Sequence, residues 1–298
     1  MRITFSQGFD DGLRDITRVA EQLADAQRRV SSGRRLNAPS DDPGATVAAI
    51  DGHARLASVD VYRQTTDDAS SRLAVADSAL SDIIVQLDAA RVSAAASLVS
   101  GHTPEQLASL SQELLGIRDA LLGDINTRFG NTYLFSGASS TVAPYALQGN
   151  GAVSGYQGDT SPISVDVAQG RTVAITFDGS AILQGGAAAH VLDVVTTLAT
   201  SVANGDTAAI HQGLDDLEAA LSRVNLAQTQ VGNSMRILDD VRPQLSTART
   251  ATQDRLSRVE DADMVEAIAD MTRGQTAQQA ALGAFATLGR LSLMDYLR

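Results

Sequence analysis

The sequence predicts a mainly α protein with a small β-rich insertion, drawn out as an elongated helical rod whose N- and C-terminal thirds lie side by side. Three observations predict it. Both ends carry long proline-free stretches in which apolar residues recur every 3.5 positions, the spacing that forms a seam for another helix. Hydrophobic content is 44% but aromatic content only 4%, with no Trp, so the apolar surface comes mostly from Ala, Leu, Val and Ile, small enough for helices to approach closely. After Gly130 the period switches from 3.6 to 2, then returns to helical spacing.

In the first element, alternating steps of four and three pass through Phe9, Leu13, Ile16, Ala20, Leu23, Gln27 and Val30. Gly33, Asn37, Pro39 and Pro43 end it. Ser40, Asp41 and Asp42 offer N-cap acceptors for the next helix, and Pro43 suits its first turn. That helix is expected to reach about Ser100, with Leu73, Ala76, Leu80, Ile83, Leu87, Ala90 and Ala94 at heptad spacing. Unbroken, it would span roughly 80 Å at about 1.5 Å per residue. Gly101-His102-Thr103-Pro104 interrupts it, and Thr103 caps a third helix with the seam Leu107, Leu110, Leu114, Ile117 and Leu121.

Ile163, Val165 and Val167, then Val173, Ile175 and Phe177, alternate with smaller or polar residues on either side of Gln169-Gly170-Arg171. They read as a hairpin closed by Asp178-Gly179, inside an insertion over 138–185. Its own alternating pattern predicts that it can be removed without unfolding the helices. Helix resumes near Ala187 and is strongest through Ile210, Leu214, Leu217, Leu221, Val224, Gln228, Val231, Met235 and Leu238. Pro243 is expected to kink or end it near Arg242. The final seam takes in Met264, Ile268, Met271, Gln275, Gln278, Leu282 and Phe285, then Leu288, Leu291 and Leu293. The division that follows is a terminal domain of 1–38 with 262–298, a helical bundle of 39–137 with 186–261, and the insertion.

Charge is distributed unevenly. Residues 1–35 hold 7 Arg against 5 Asp plus Glu, and residues 265–298 hold 3 against 3, so a total of −12 leaves −14 for the middle. Near-neutral helices can crowd together, whereas the acidic body tolerates only solvent or a complementary partner. The apolar seam members Phe9, Leu13, Ile16, Leu23, Val30, Ile268, Met271, Leu282, Phe285, Leu288, Leu291 and Leu293 are therefore the candidate assembly interface. The same pattern also suits a monomeric bundle whose first and last helices pair.

Composition excludes several classes. There is no Cys, hence no disulfide or thiol chemistry, and Asp10 and Asp11 fall where a signal peptide would need its apolar region. The chain contains no Lys, all 23 basic residues being Arg, which removes P-loop and Schiff-base chemistry. A pI near 4.7 argues against nucleic acid, and no apolar stretch is long enough to cross a membrane. His53, His102, His190 and His211 form no metal-binding pair and are expected to be exposed or to cap helices. Gly151-Ala152-Val153-Ser154-Gly155 lacks the spacing of a nucleophile elbow. No catalytic, cofactor or metal residue is expected, and no small-molecule substrate.

The segment Ser32-Gly33-Arg34-Arg35-Leu36-Asn37-Ala38-Pro39-Ser40-Asp41-Asp42-Pro43 resembles the N-terminal signature of the bacterial flagellin superfamily. The ending Leu291-Ser292-Leu293-Met294-Asp295-Tyr296-Leu297 resembles its C-terminal one. Arg128-Phe129-Gly130-Asn131-Thr132-Tyr133-Leu134-Phe135-Ser136-Gly137, followed by Pro144-Tyr145 and Tyr156-Gln157-Gly158-Asp159, is similar to the hook-associated members of that superfamily. The resemblance implies a flagellin-like fold with the terminal helices paired as a coiled coil. It implies a structural subunit exported through the flagellar type III apparatus, without a cleaved signal, to the extracellular flagellum. There it would join hook to filament and give flagellin a platform for polymerisation; the alternative is a filament flagellin, and an enzyme is remote. The implied partners are copies of itself, an adjacent hook-associated protein, flagellin and an export chaperone, with no cofactor. One departure is that Tyr62-Arg63-Gln64-Thr65-Thr66-Asp67-Asp68 lacks the Asn-rich stretch common in flagellins.

Overall fold

The computed structural model describes residues 2–149, 151–186 and 189–296, with the side chains of 2–6, 8, 9 and 288–296 outside that description. In chain order the elements are α1 (Arg2–Ser32), α2 (Pro43–Ser97), α3 (Pro104–Ile125), β1 (Arg128–Phe129), β2 (Thr132–Tyr133), β3 (Ser164–Ala168), β4 (Arg171–Ala174), α4 (Gly179–Leu183), α5 (Val191–Asn204), α6 (Thr207–Glu260) and α7 (Met264–Tyr296). The chain forms two compact units: a terminal unit of Met1–Ser58 with Thr247–Arg298, and a central unit of Val59–Ser246. The terminal unit holds 14 Arg against 15 Asp plus Glu, the central unit 9 against 20, so almost all the net charge lies on the central one.

In the terminal unit α1 and α7 pack against each other. Gly12 faces Phe285 and Gly274 faces Leu23, so closely that an added Cβ would lie 3.2 and 3.3 Å from those side chains. One helix therefore runs antiparallel to the other. Between α1 and α2 the Asp41 carboxylate accepts the N–H groups of Asn37 and Ala38 at 3.0 and 2.9 Å, and Asp42 accepts that of Ala45 at 2.9 Å. These bonds, led by those from Ala38 and Ala45, hold both carboxyls below the usual carboxylate range. Pro43 opens α2, as its fixed φ predicts.

The central unit is built on the predicted heptads. Leu73, Leu80, Ile83 and Leu87 of α2 are fully buried with Leu114 and Leu121 of α3, Leu192 and Val195 of α5, and Leu217, Val224 and Val231 of α6. Each such side chain contributes about 1.5–3 kcal/mol by leaving water. Thr103 closes a capping box on α3: its hydroxyl accepts from Gln106 N–H, and the Gln106 side chain accepts from Thr103 N–H.

Three expectations need correction. First, Pro243 neither ends nor breaks α6, which continues to Glu260. Val241 and Leu238 before it are fully buried and Leu245 after it nearly so, and this packing outweighs the cost of about 3 kcal/mol for an interior proline. Second, the insertion is not a compact unit of its own but shares the core of the helices. Tyr145, Val167, Val173 and Ile182 belong to the same hydrophobic cluster as the helices, and the Asn126 amide of α3's C-cap donates to Tyr145 O at 2.8 Å. Third, the return to helix comes at Val191, where His190 serves as N-cap, and the one-turn helix α4 precedes it. The hairpin β3–β4 pairs antiparallel with a bulge at Asp166/Ala168 and turns at Gly170, whose φ is +74°.

Candidate assembly interface

Two packed helices cover only one stripe of each other. The antiparallel register set by Gly12 with Phe285 and by Leu23 with Gly274 carries Gly12, Ile16, Val19, Leu23, Ala26 and Val30 of α1 past Phe285, Ala281, Gln278, Gly274, Met271 and Ala267 of α7. All twelve are buried or half-buried, and the steps of four and three are preserved on both helices.

Among the predicted interface residues, Ile16, Leu23, Val30, Met271 and Phe285 lie in this inner seam. Leu13, Ile268 and Leu282 do not: they are 45%, 47% and 51% exposed, outside it. Phe9, Leu288, Leu291 and Leu293 have side chains outside the described residues. The predicted stripe thus merges two neighbouring faces, one that pairs α1 with α7 and one left uncovered. Gln278 belongs to the first and is half-buried; Gln275 belongs to the second. Sequence reasoning missed Val265, 81% exposed on the uncovered side, and the glycines Gly12 and Gly274 that let the helices close. The signal for the glycines was their place three or four residues from Ile16 and Met271, where a small residue reads as a gap in an apolar stripe.

The outer surfaces of the pair differ in charge. On α1, Arg14 pairs with Asp11, Arg18 with Asp15 and Arg28 with Asp25, all three residues apart and exposed. Such pairs contribute only about 0.2–0.5 kcal/mol each, and they mark a face that suits water. On α7 no charged residue occurs from Gly274 to Gly289. Its uncovered side can be buried against another protein without stranding an ion.

The N-terminal signature forms a joint in the terminal unit. Gly33 adopts φ +68° just past α1, and the chain then makes an antiparallel bridge, Arg34 with Asp261, to the turn between α6 and α7. Arg35 and Leu36 N–H donate to Glu260 O at 2.6 and 3.4 Å, Ala262 N–H donates to Gly33 O at 3.0 Å, and the Arg35 guanidinium donates to Val259 O at 2.9 Å. The Glu260 carboxylate lies 2.7 Å from His53 Nε2 and 3.8 Å from Arg34.

The internal signature forms a knot in the central unit. Gly137 has φ +57°, and a Cβ there would fall 1.8 Å from Asp159 O; at Gly179 one would fall 2.5 Å from Phe135 O. The Tyr156 hydroxyl lies 3.1 Å from Phe135 O and 3.0 Å from Asp159 O, donating into this pair of carbonyls. Burial first, and then the Asp178 charge, push its pKa up to about 12. Tyr145, stacked at a tilt 5.6 Å away, is also raised, mainly by burial.

The four histidines sit apart. His53 meets Glu260, His102 Nε2 lies 3.0 Å from Ala96 O, His190 caps α5 and His211 is exposed. Among the described residues no group of three His, Cys, Asp or Glu is placed to hold a metal ion, and no helix is long and apolar enough to cross a membrane.

A family model described as the bacterial flagellin N-terminal helical region matches residues 12–140, and one described as the bacterial flagellin C-terminal helical region matches residues 214–297. The chain is 24% identical to flagellar hook-associated protein 3 of Escherichia coli K12, over 99% of each chain. A solved structure of a flagellar hook-associated protein from Vibrio parahaemolyticus covers 74% of this chain and 100% of its own, at a TM-score of 0.69 and 20% identity. The flagellar junction protein FlgL of Legionella pneumophila covers 63% and 98%, at a TM-score of 0.55 and 13% identity.

Proposed function

Because the chain belongs to the bacterial flagellin family, we propose that it is the structural subunit that joins the flagellar hook to the filament and gives flagellin a platform on which to polymerise. The observation that carries this reading is similarity over 99% of both chains to a hook-associated protein. The uncovered, charge-free side of α7 adds a surface for the assembly to bury.

In this reading, residues 1–38 with 262–298 are the assembly domain, 39–137 with 186–261 the helical bundle, and 138–185 a β-rich insertion whose inner side packs on the bundle. The inner seam holds the terminal pair together, while the exposed Leu13, Ile268 and Leu282 meet copies of the chain, the adjacent hook-associated protein or flagellin; Phe9, Leu288, Leu291 and Leu293 belong to the same proposed assembly interface. The subunit leaves the cell through the flagellar export apparatus with a chaperone and performs no catalysis.

A deletion strain tests the proposal. It should keep its hooks, still make flagellin, and lose that flagellin to the medium as monomer. Normal filaments on the deletion strain would rule out the adaptor role, and complete loss of flagellin antigen would identify the chain as the filament protein itself.

A further inference from the structure

We infer that the joint at Gly33–Leu36 and Val259–Ala262 is a single latch, pinned by the Glu260 carboxylate, that makes the ordering of α1 and of α7 one event. The terminal helices are separated by most of the chain, and pairing two such distant segments carries a loop-closure cost that grows with the intervening length. The joint bonds the two segments to each other at the point where the helices begin to pair, so that closure there serves both. The Arg35 guanidinium reaches Val259 O across 224 positions of sequence, and main-chain bonds cross in both directions, from Arg35 and Leu36 to Glu260 O and from Ala262 to Gly33 O. Neither side can leave without breaking bonds of the other.

The latch sits where both helices begin to pair. α1 ends at Ser32, two residues before the bridge, and α7 starts at Met264, three residues after it, with Asp263 Oδ1 accepting from Val265 and Glu266 N–H at 2.9 and 3.2 Å. With so little slack, closing the joint sets Val30 near Ala267 and starts the inner seam in register.

Glu260 is the pin because its carboxylate, 11% exposed, is the buried charge of the joint. A carboxylate so enclosed is tolerated only when paired and hydrogen-bonded. Its partners come from two other segments: His53 from α2, and Arg34 from the bridge itself. Taking the carboxylate away leaves both unpartnered there and loosens three segments at once.

Hydrogen exchange of the full chain tests this, comparing wild type with Glu260→Ala and with the milder Glu260→Gln, which keeps a hydrogen bond to His53 but loses the charge opposite Arg34. Wild type should protect the amides of Arg35, Leu36 and Ala262. Glu260→Ala should speed exchange by at least about tenfold at those amides and, by the same factor, along α1 and α7, while α3 and α5 keep their rates. Glu260→Gln should give a smaller rise, again equal at the two ends. A rise confined to one terminal helix, no rise at either, an unprotected joint in wild type, or equal loosening of α3 and α5 would each overturn the inference.

Discussion

Gly137 and Tyr156 show what single residues decide in this chain. Replacing Gly137 with Ala places a methyl group against the Asp159 carbonyl and forces a non-glycine residue to φ +57°. Strain and overpacking together should cost about 3 kcal/mol or more, measured by denaturant unfolding of the central unit. Tyr156 makes the chain sensitive to alkali. Its folded pKa of about 12 lies above the unfolded value near 10, so its contribution is fully present below about pH 10 and is lost as pH rises through 12. Tyr156→Phe should lower stability at neutral pH by about 1 kcal/mol, through the lost hydroxyl bond, and flatten the alkaline decline; Tyr145 leaves part of that decline in place. The Thr103 cap and the Pro43 helix start could be read directly from the sequence, because a cap acts within four residues. Gly137 could not, since its constraint comes from Asp159, 22 positions along a loop without periodicity.

At the scale of elements, the long helices were legible and the short ones were not. A heptad repeated over seven positions in α2 fixes a helix and its buried face, whereas two-residue strands such as β1 and β2, or the single turn of α4, leave no period to detect. The expectation that Pro243 could end α6 failed because local propensity was allowed to decide where tertiary packing wins. Leu238, Val241 and Leu245 anchor α6 on both sides of it, and Arg242 adds contacts to Asp67 and Asp239 at 3.3 and 3.5 Å. Pro243→Ala should therefore restore a backbone hydrogen bond within a helix already anchored on both sides, raising the central unit's stability by about 1–3 kcal/mol in thermal or denaturant unfolding. A fall in stability would show that the helix depends on a bend at that point.

For the whole molecule, the sequence pointed to helices that pair at the two ends but blurred which side of each helix does what. Seven positions at 3.5-residue spacing, six of them apolar on α1 and five on α7, fit a stripe wide enough to span two faces, and only the register through Gly12 and Gly274 separates them. Changing Ile268 and Leu282 together to Asp tests the division. The variant should unfold like wild type, because both side chains lie outside the inner seam, yet fail to restore filaments to a deletion strain. Ala at Met271 and Phe285 should instead weaken the terminal pair itself, seen as lost helicity. The joint has a mechanical consequence as well. A pull on the paired ends reaches both segments of the joint at once, at Arg34 and Asp261, so within the terminal unit the load is shared from the start between the chain leaving α1 and the chain entering α7.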